Sequence, residues 1–289
     1  MNKKQEHSDT NYPKITVVTP NYNQGDFIEQ TLCSVLDQGY PNLEYIVIDG
    51  GSTDNSVDII KKYQDRLTYW VSEKDKGMYD AINKGFAKST GEIMCWINSD
   101  DTHRERSLFK VAALFLANPK VEWLMGYPTL INEQGDVTWQ GQDAQVHSPY
   151  FFYLHNHARS FSFIQQESTF WRRSLWQKAN GAIDEQYSLA GDFDLWMRFF
   201  KHAKLYFTKE ELSAFRRREG QKSEDTANYL AQANLSVKNN QKKLSFGAKT
   251  TIFGLKTVRK SLFLPKSKIL KKWFYSIQKG IFSTPNWVD

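Results

Sequence analysis

Predicted strands and helices alternate over the first hundred residues, and this alternation limits the fold more than any other feature of the sequence. Four apolar segments rich in β-branched and aromatic residues predict strands, in the order KITVVTP, LEYIVIDGG, LTYWVSE and EIMCWINSDD. The intervening segments, such as GDFIEQTLCSVLDQ and GMYDAINKGFAKS, have the apolar spacing of amphipathic helices. Strands that are joined through helices run parallel in one sheet. The sequence therefore predicts an α/β fold with a mostly parallel central sheet and helices on both faces.

Carboxylates stand where two of these predicted strands end. Asp49 closes the second strand, and Asp100 and Asp101 follow the fourth. The carboxyl ends of parallel strands lie along one edge of the sheet, and ligands of α/β proteins bind beyond that edge. We therefore expect these three side chains to share one site.

The sequence around Asp49 has two interpretations. The Asp49 carboxylate can accept a hydrogen bond from the imide N–H of uracil or thymine. The two glycines that follow it let the backbone approach a base or ribose closely. The alternative is an Asp–Gly turn that leads into a helix cap at Ser52 or Thr53. The sequence alone leaves both interpretations open.

The adjacent acids Asp100 and Asp101 also allow two interpretations. Two like charges at a strand end cost free energy unless a cation or hydrogen-bond donors offset them. Mg²⁺ or Mn²⁺ is such a cation when one or two carboxylates and the phosphates of a substrate hold it. A bound ion would also neutralise the charge of a diphosphate leaving group. A solvated Asp–Asp turn is the alternative, but the presence of Asp49 on a neighbouring strand favours the metal.

Two further clusters carry candidate chemistry. Asp192 and Asp194, in LAGDFDLWMRFF, lie at the start of a predicted helix, where apolar surroundings would raise the pKa of a general base toward the working pH. The alternative is that one of the two acids caps the helix and the other is a first-turn acid favoured by the helix dipole. This alternative does not decide which of the two acids could be the base. The run Arg216–Arg218 could clamp a diphosphate through forked donors, or could be a solvated charge run.

The positive charge of the chain is concentrated at its carboxyl end. Residues 242–289 hold 11 Lys or Arg and one acid, a net charge of +10, whereas the remainder carries −4 of the total of +6. We divide the chain into a flexible amino terminus (1–13), a catalytic domain (14–241) and a basic amphipathic helical tail (242–289). The domain has a nucleotide-binding half at about 14–101 and an acceptor half at about 102–241. The tail is predicted to lie on an anionic bilayer or to pack on protein, and the acidic body argues against a nucleic-acid partner.

Several classes of protein are poor fits. Two isolated cysteines, Cys33 and Cys95, give no disulfide framework or zinc site and fit a reducing cytoplasm. The start MNKKQEHSDTNYPK lacks a secretory signal, and no run of about 18 apolar residues predicts a spanning helix. Neither G-x-G-x-x-G nor G-x-x-x-x-G-K-[ST] occurs, which disfavours a dinucleotide oxidoreductase and a P-loop NTPase. We expect a cytoplasmic protein that is peripheral on the inner face of the cytoplasmic membrane if its tail binds there.

Five segments together resemble one enzyme family. Between about Lys14 and Ser223 the chain contains, in order, VVTPNYNQGDFIEQTLCSVLDQGYPNLEYIVIDGGSTDNS, DKGMYDAINKG, INSDD, ESTFWRRSLW and DFDLWMRF. This combination is similar to the inverting nucleotide-sugar glycosyltransferases of family two, of the bacterial polysaccharide-assembly type. The resemblance implies the GT-A fold, a Rossmann-like arrangement of sheet and helices.

The resemblance also implies a role for each candidate residue. Asp192 is the catalytic base, and Asp101 ligates divalent Mn²⁺ or Mg²⁺. Arg218, near which many relatives have His, could contact the diphosphate directly. Asp49 reads the base, and the other residues implied for the nucleotide sugar are Pro20, Asn21, Tyr22, Asp80 and Asp100. Three positions depart from the pattern, because many relatives have His-Gln at Gln166-Glu167, His near Arg218 and an acid at Gly191.

These roles predict an inverting transfer of a sugar from a nucleoside diphosphate sugar, with a UDP-sugar favoured. The predicted acceptor is a saccharide or lipid-linked saccharide in cell-surface polysaccharide biosynthesis. One alternative is a metal-dependent sugar nucleotidyltransferase, although TPNYNQGD offers no Lys or Arg for a phosphate-binding loop. Another is a non-catalytic protein that stacks glycans on some of the nine tryptophans. The sequence leaves the oligomeric state open.

Overall fold

The computed structural model describes residues 12–141, 164–262 and 286–288. The predicted flexible amino terminus lies outside these residues except for Tyr12 and Pro13, and so does the tail segment KSKILKKWFYSIQKGIF. Within the described ranges, no helix is both long enough and apolar enough to cross a membrane.

Twelve strands form two sheets in the described residues. The main sheet has the order β12-β10-β6-β9-β4-β1-β2-β3 and is built from β1 (Ile15–Asn21), β2 (Leu43–Asp49), β3 (Tyr69–Ser72), β4 (Ile93–Trp96), β6 (Trp123–Met125), β9 (Thr169–Arg172), β10 (Tyr206–Phe207) and β12 (Asn286–Trp287). Its strands are parallel except for β9, which runs antiparallel to β4 and β6. The second sheet has the order β5-β11-β7-β8 and is built from β5 (Thr102–His103), β7 (Thr129–Ile131), β8 (Val137–Gln140) and β11 (Ser213–Arg216). The predicted mostly parallel central sheet is confirmed.

Helices pack against this sheet. In the described residues they are α1 (Ile28–Leu36), α2 (Ser56–Tyr63), α3 (Met78–Lys88), α4 (Ser107–Ala117), α5 (Arg173–Lys178), α6 (Gly191–Phe199), α7 (Thr226–Lys242) and α8 (Phe246–Leu262). All seven residues of β1 and six of the seven residues of β2 are buried, so both faces of the sheet are covered. On one face, Gly85 of α3 lies directly against Val18 and Ile48, where an added Cβ would approach Val18 to 2.5 Å. The predicted α/β layering is therefore confirmed.

An aromatic cluster joins α6 to the sheet. Trp196 of α6 stacks on Trp96 and Trp123, with ring centroids 6.0 and 5.6 Å apart, and meets Trp171 edge-on at 5.8 Å. All four side chains are at most 2% exposed. The cluster therefore fixes α6 against the carboxyl-terminal half of the sheet. These four tryptophans are not available to stack sugars, which counts against the glycan-binding alternative.

The carboxyl-terminal residues contain an element that the sequence did not predict. Residues 246–262 form α8, in agreement with a helical tail. The last described residues form β12, which pairs parallel with β10 and places Asn286 opposite Tyr206. A two-residue strand has no periodic pattern, so the return of the chain to the main sheet could not be predicted. The division into domains stays a prediction.

Candidate functional site

Three neighbouring strands deliver the predicted carboxylates to one edge of the main sheet. The register of β1 and β2 sets Asn21 opposite Asp49, and β4 lies on the other side of β1. Asp100 and Asp101 lie in the segment that follows β4, with three residues between its end at Trp96 and Asp100. The carboxyl edge of the sheet therefore holds the residues that the sequence assigned to one site.

Asp49 is fully buried, and its carboxylate is occupied by the protein itself. It accepts hydrogen bonds from the Asn21 amide (2.6 Å), the hydroxyls of Ser52 (2.5 Å) and Ser72 (2.6 Å), and the N–H groups of Gly51 (3.1 Å) and Ser52 (2.9 Å). Burial alone would raise the pKa of Asp49, but these bonds outweigh it and lower the pKa. Gly51 has φ = 80°, a conformation that favours glycine. Asp49 thus organises this turn, and its role as reader of the base stays a prediction.

The other residues assigned to the nucleotide differ in their access to solvent. Pro20 and Asn21 are buried at the end of β1, whereas Tyr22 is 59% exposed and presents its ring at the edge. Asp80, in the first turn of α3, accepts the Lys76 N–H at 3.0 Å and pairs with Lys84 at 3.3 Å. The bond from Lys76 lowers the pKa of Asp80, despite its partial burial. Of this group, Tyr22 is the side chain most open to a ligand.

Asp75 is a carboxylate at this edge that the sequence analysis missed. A Cβ added at Gly50 would lie 2.6 Å from its Oδ2, so the absence of a side chain at residue 50 makes room for it. Its Oδ1 accepts the N–H of Gly77 at 2.8 Å. The glycine after Asp49 was the signal that another side chain approaches this turn.

Asp100 and Arg218 meet at the edge although they lie far apart in the sequence. The Arg218 guanidinium is 3.2 Å from the Asp100 carboxylate, which also accepts from Gln221 at 3.2 Å. Arg218 donates to Gln24 at 2.8 Å and lies over the Phe27 ring, 5.0 Å from its centroid. The arginine is thereby held in place, with its side chain 19% exposed, where an anionic group could bind.

The three arginines of the run have different surroundings. Arg217 is exposed, whereas Arg216 is fully buried and its backbone N–H donates to Asp101 at 2.8 Å. The Arg216 guanidinium donates to four oxygens, namely the carbonyls of Asp100 (2.6 Å), Asn132 (2.8 Å) and Glu133 (2.7 Å) and the side chain of Gln30. The run is therefore neither a simple clamp nor a solvated patch. Arg216 builds the site and Arg218 faces it.

Asp101 is fully buried beneath this edge. It accepts the Arg216 N–H and, at 3.2 Å, the amide of Asn98. Burial is the main reason that the pKa of Asp101 is raised well above its ordinary value, and the nearby carboxylates of Asp100 and Glu167 raise it further. The hydrogen bonds to Asp101 thus do not offset the effect of burial on its pKa.

Asp192 lies in the first turn of α6, half-buried beside Tyr79. The Tyr79 hydroxyl lies 3.4 Å from both the Asp192 carboxylate and its backbone nitrogen, and it donates to the Leu189 carbonyl at 2.9 Å. Burial raises the pKa of Asp192 to about 6, although hydrogen bonds from Phe193 and Tyr79 oppose the rise. Such a carboxylate is ionised at neutral pH and still basic enough to accept a proton.

Gly191 explains how Tyr79 comes so close to α6. A Cβ at residue 191 would lie 2.7 Å from the Tyr79 ring and 2.8 Å from Ile183. The acid that many relatives have at this position would not fit here. The tyrosine and the glycine therefore depend on each other.

Asp194 has a structural role that separates it from Asp192. Its carboxylate, 4% exposed, pairs with Arg198 at 2.8 Å and accepts from Ser236 (2.7 Å) and Asn240 (3.1 Å) of α7. These bonds attach α6 to α7. The residues alone could not decide between the two acids, and in the structure Asp192 is the more accessible of the two.

Glu167 is a buried acid that the sequence analysis noted only as a departure. It is 3% exposed and lies just before β9, where continuing the antiparallel register with β4 brings residue 167 opposite residue 98. Burial raises the pKa of Glu167 to about 8, with a further contribution from Asp192. The Glu167 carboxylate in turn raises the pKa of Asp101.

Comparisons with known proteins agree with this geometry. The family model described as "Glycosyl transferase family 2" matches residues 16–177. An uncharacterised glycosyltransferase of Rickettsia typhi is 26% identical over 228 residues, which cover 76% of this chain and 69% of the relative. TuaG of Bacillus subtilis, whose name refers to teichuronic acid biosynthesis, is 32% identical over 140 residues, or 47% of this chain and 54% of the relative.

Solved structures are similar over most of the chain. A crystal structure of S. aureus TarS in complex with UDP-GlcNAc matches with a TM-score of 0.64 and 17% identity, over 93% of this chain and 80% of that one. The chain spans about half, 47%, of a longer TarS structure. A mannosyltransferase from Pyrobaculum calidifontis, in complex with GDP-Man and Mn²⁺, matches with a TM-score of 0.55 and 16% identity, over 92% of this chain and 84% of that one. These likenesses confirm the predicted fold.

Proposed function

Because the chain belongs to glycosyltransferase family 2 and has the GT-A fold, we propose that it transfers a sugar, with inversion, from a UDP-sugar to a saccharide or lipid-linked saccharide acceptor. The observation that carries the proposal is the position of Asp192 at the start of α6, beside Tyr79 of α3. The same helix, α6, stacks Trp196 on Trp96, the last residue of β4, and β4 leads to Asp101. Surface polysaccharide synthesis is the proposed role, supported by the name of TuaG. UDP is supported by the TarS complexes with UDP and UDP-GlcNAc.

Asp192 is the proposed general base. It removes the proton of an acceptor hydroxyl while that oxygen forms its bond to the anomeric carbon of the donor. The bond from that carbon to the diphosphate breaks on the opposite face, and the electron pair leaves with the nucleoside diphosphate. One displacement of this kind inverts the anomeric configuration and requires no carboxylate nucleophile. Arg218 is placed to bind the departing diphosphate through its forked donors.

A divalent cation fits the acids at the edge of the sheet. Asp101 offers the oxygen ligands that Mg²⁺ and Mn²⁺ prefer, and a nearby cation would offset the burial and the neighbouring carboxylates that raise its pKa. In the described part of the chain, no three His, Cys, Asp or Glu side chains form a ready metal cluster. Mg²⁺ needs only one or two carboxylates when phosphates supply further oxygens. Asp101 is the proposed ligand, and a bound cation would supply positive charge against the diphosphate.

Product analysis tests the proposed reaction. The full chain is incubated with Mn²⁺ and a panel of UDP-, dTDP- and GDP-sugars, and the released nucleotide is identified by chromatography. Slow release of UDP from one UDP-sugar, stimulated by a glycan acceptor, is the expected result. Release of pyrophosphate would indicate the nucleotidyltransferase instead, and binding without release would indicate a glycan- or nucleotide-binding protein.

Replacing Tyr79 with Phe should move the pH profile of the enzyme. The Tyr79 hydroxyl lowers the pKa of Asp192, so its removal raises that pKa above about 6. Because the base acts when it is deprotonated, the acid limb of kcat/KM should move upward by about half to one pH unit. Activity should fall more at pH 6 than at pH 8.

Tyr45→Phe is the matched control for this experiment, since Tyr45 is also buried and its hydroxyl lies 3.0 Å from that of Thr19 in the sheet. The Tyr45→Phe change should not shift the pH profile of kcat/KM. A Tyr79→Phe enzyme with reduced stability but an unmoved acid limb would mean that Tyr79 only supports the Leu189 carbonyl.

The basic tail is the proposed membrane-binding segment. Phe246 and Phe253 are 84% and 74% exposed and lie two turns apart on α8, so they share one helical face. The tail's net charge of +10 suits an anionic bilayer. The full chain should co-sediment with liposomes that contain about a third phosphatidylglycerol. Replacing both phenylalanines with Ser should weaken this binding. Equal binding to neutral liposomes, or no effect of the double change, would contradict this role.

A further inference from the structure

Glu167 has an unmet hydrogen-bonding requirement in the free protein. Its Oε1 is buried and has no hydrogen-bond partner among the described residues. A buried carboxyl oxygen without a donor costs folding free energy, and native proteins keep few of them. Such a group is typical of a functional site whose partner arrives with a ligand.

The position of Glu167 identifies what that partner would be. The transferred sugar must lie between the diphosphate, beside Asp101 and Arg218, and the base Asp192. The continued register of β9 and β4 sets Glu167 opposite Asn98, whose side-chain amide donates to Asp101 at 3.2 Å. Its neighbour Gln166 donates to the Trp96 carbonyl at 2.5 Å, which fixes this segment at the end of β4. Glu167 therefore borders the space assigned to the sugar rather than the base or ribose.

We propose that Glu167 accepts a hydrogen bond from a hydroxyl of the transferred sugar and so helps to select the donor. The inference rests on the proposed function and adds a residue to it. A sugar hydroxyl supplies the donor that Oε1 lacks, and it does so only when the sugar, and not the nucleotide alone, is bound. Glu167 is thus a binding residue for the sugar and not a ligand of the metal or of the nucleotide.

Replacement by Met separates this role from a structural one. Glu167→Met removes the unsatisfied carboxyl at similar volume, so the melting temperature of the free protein should rise by about 2–4 °C. The affinity for the sugar nucleotide should fall about 5- to 100-fold, while the affinity for the nucleoside diphosphate stays the same. Glu167→Gln, which keeps a side-chain oxygen, should recover part of the loss.

Calorimetry on the full chain provides the measurement. UDP, dTDP and GDP are each compared with their sugar derivatives in the presence of Mn²⁺, and Mn²⁺ is also titrated alone. Glu44→Met is the control, because Glu44 is equally buried but accepts from Thr16 (2.5 Å) and Thr90 (2.6 and 2.7 Å) at the other end of the sheet. That change should lower the melting temperature and leave the ratio of affinities unaltered.

The outcomes distinguish the two proposals. If the wild-type chain binds a nucleotide and its sugar derivative but Glu167→Met leaves their ratio unchanged, the role of Glu167 is wrong and the transferase is not affected. If Glu167→Met lowers the affinities for Mn²⁺, the nucleotide and the sugar nucleotide equally, Glu167 is a metal ligand. That result would also overturn the inference. If the wild-type chain binds none of the ligands, the proposed function fails, and the role of Glu167 fails with it.

Discussion

Asp192→Asn should lower kcat about 10²–10⁴-fold, the usual contribution of a general base. Donor binding should persist, because the base contacts the acceptor hydroxyl and not the nucleotide. The folded chain should also persist. Burial raises the pKa of Asp192, so the environment already disfavours its charge, and a neutral amide of the same shape fits there.

Asp194→Asn is the matched control, two residues along the same helix. It breaks the ion pair with Arg198 and the attachment to Ser236 and Asn240, so it should lower stability by about 1.5–3 kcal/mol. Turnover per folded molecule should change little. Normal turnover by Asp192→Asn, or a catalytic loss confined to Asp194→Asn, would contradict the assignment of the base.

Arg216→Met should have the largest effect on stability. The change removes a fully buried guanidinium from the four oxygens that it contacts, together with the positive charge beside Asp100 and Asp101. Removing one partner of a buried charged network costs about 3–5 kcal/mol. Thermal denaturation should therefore show a large fall in melting temperature, with loss of nucleotide binding in the molecules that remain folded.

The adjacent arginine provides the control. Arg217 carries the same charge and is exposed, so Arg217→Met should change stability by less than about 0.5 kcal/mol. Similar effects of the two substitutions would mean that Arg216 does not hold the site together.

The sequence predicted the fold and the edge of the sheet that carries the site, for a clear physical reason. Strands ending in Asp49 and Asp101 have strong apolar patterns, and parallel topology brings their ends together. The family resemblance then ranked Asp192 as the base. These predictions depend on regular elements, whose periodicity is visible in a single sequence.

Contacts between distant segments were not predictable in the same way. No local pattern distinguishes Arg216 from Arg218, because the partners of Arg216 include residues that follow β7. In the same way, Asp194 differs from Asp192 through its bonds to α7. One of the hydrogen bonds to Asp49 comes from Ser72, on another strand. The sequence showed Glu167 only as a departure from the family pattern, and the buried oxygen without a partner, on which its proposed role rests, is visible only in the structure.

A crystal structure of the Asp192→Asn chain with Mn²⁺ and its sugar nucleotide would show whether the candidate site residues surround one donor, because this variant should bind the donor without consuming it. We expect the diphosphate beside Asp101 and Arg218, the sugar against Glu167, and the anomeric carbon with its free face toward residue 192. A sugar nucleotide bound away from this edge, or residue 192 on the same face of the sugar as the diphosphate, would contradict it.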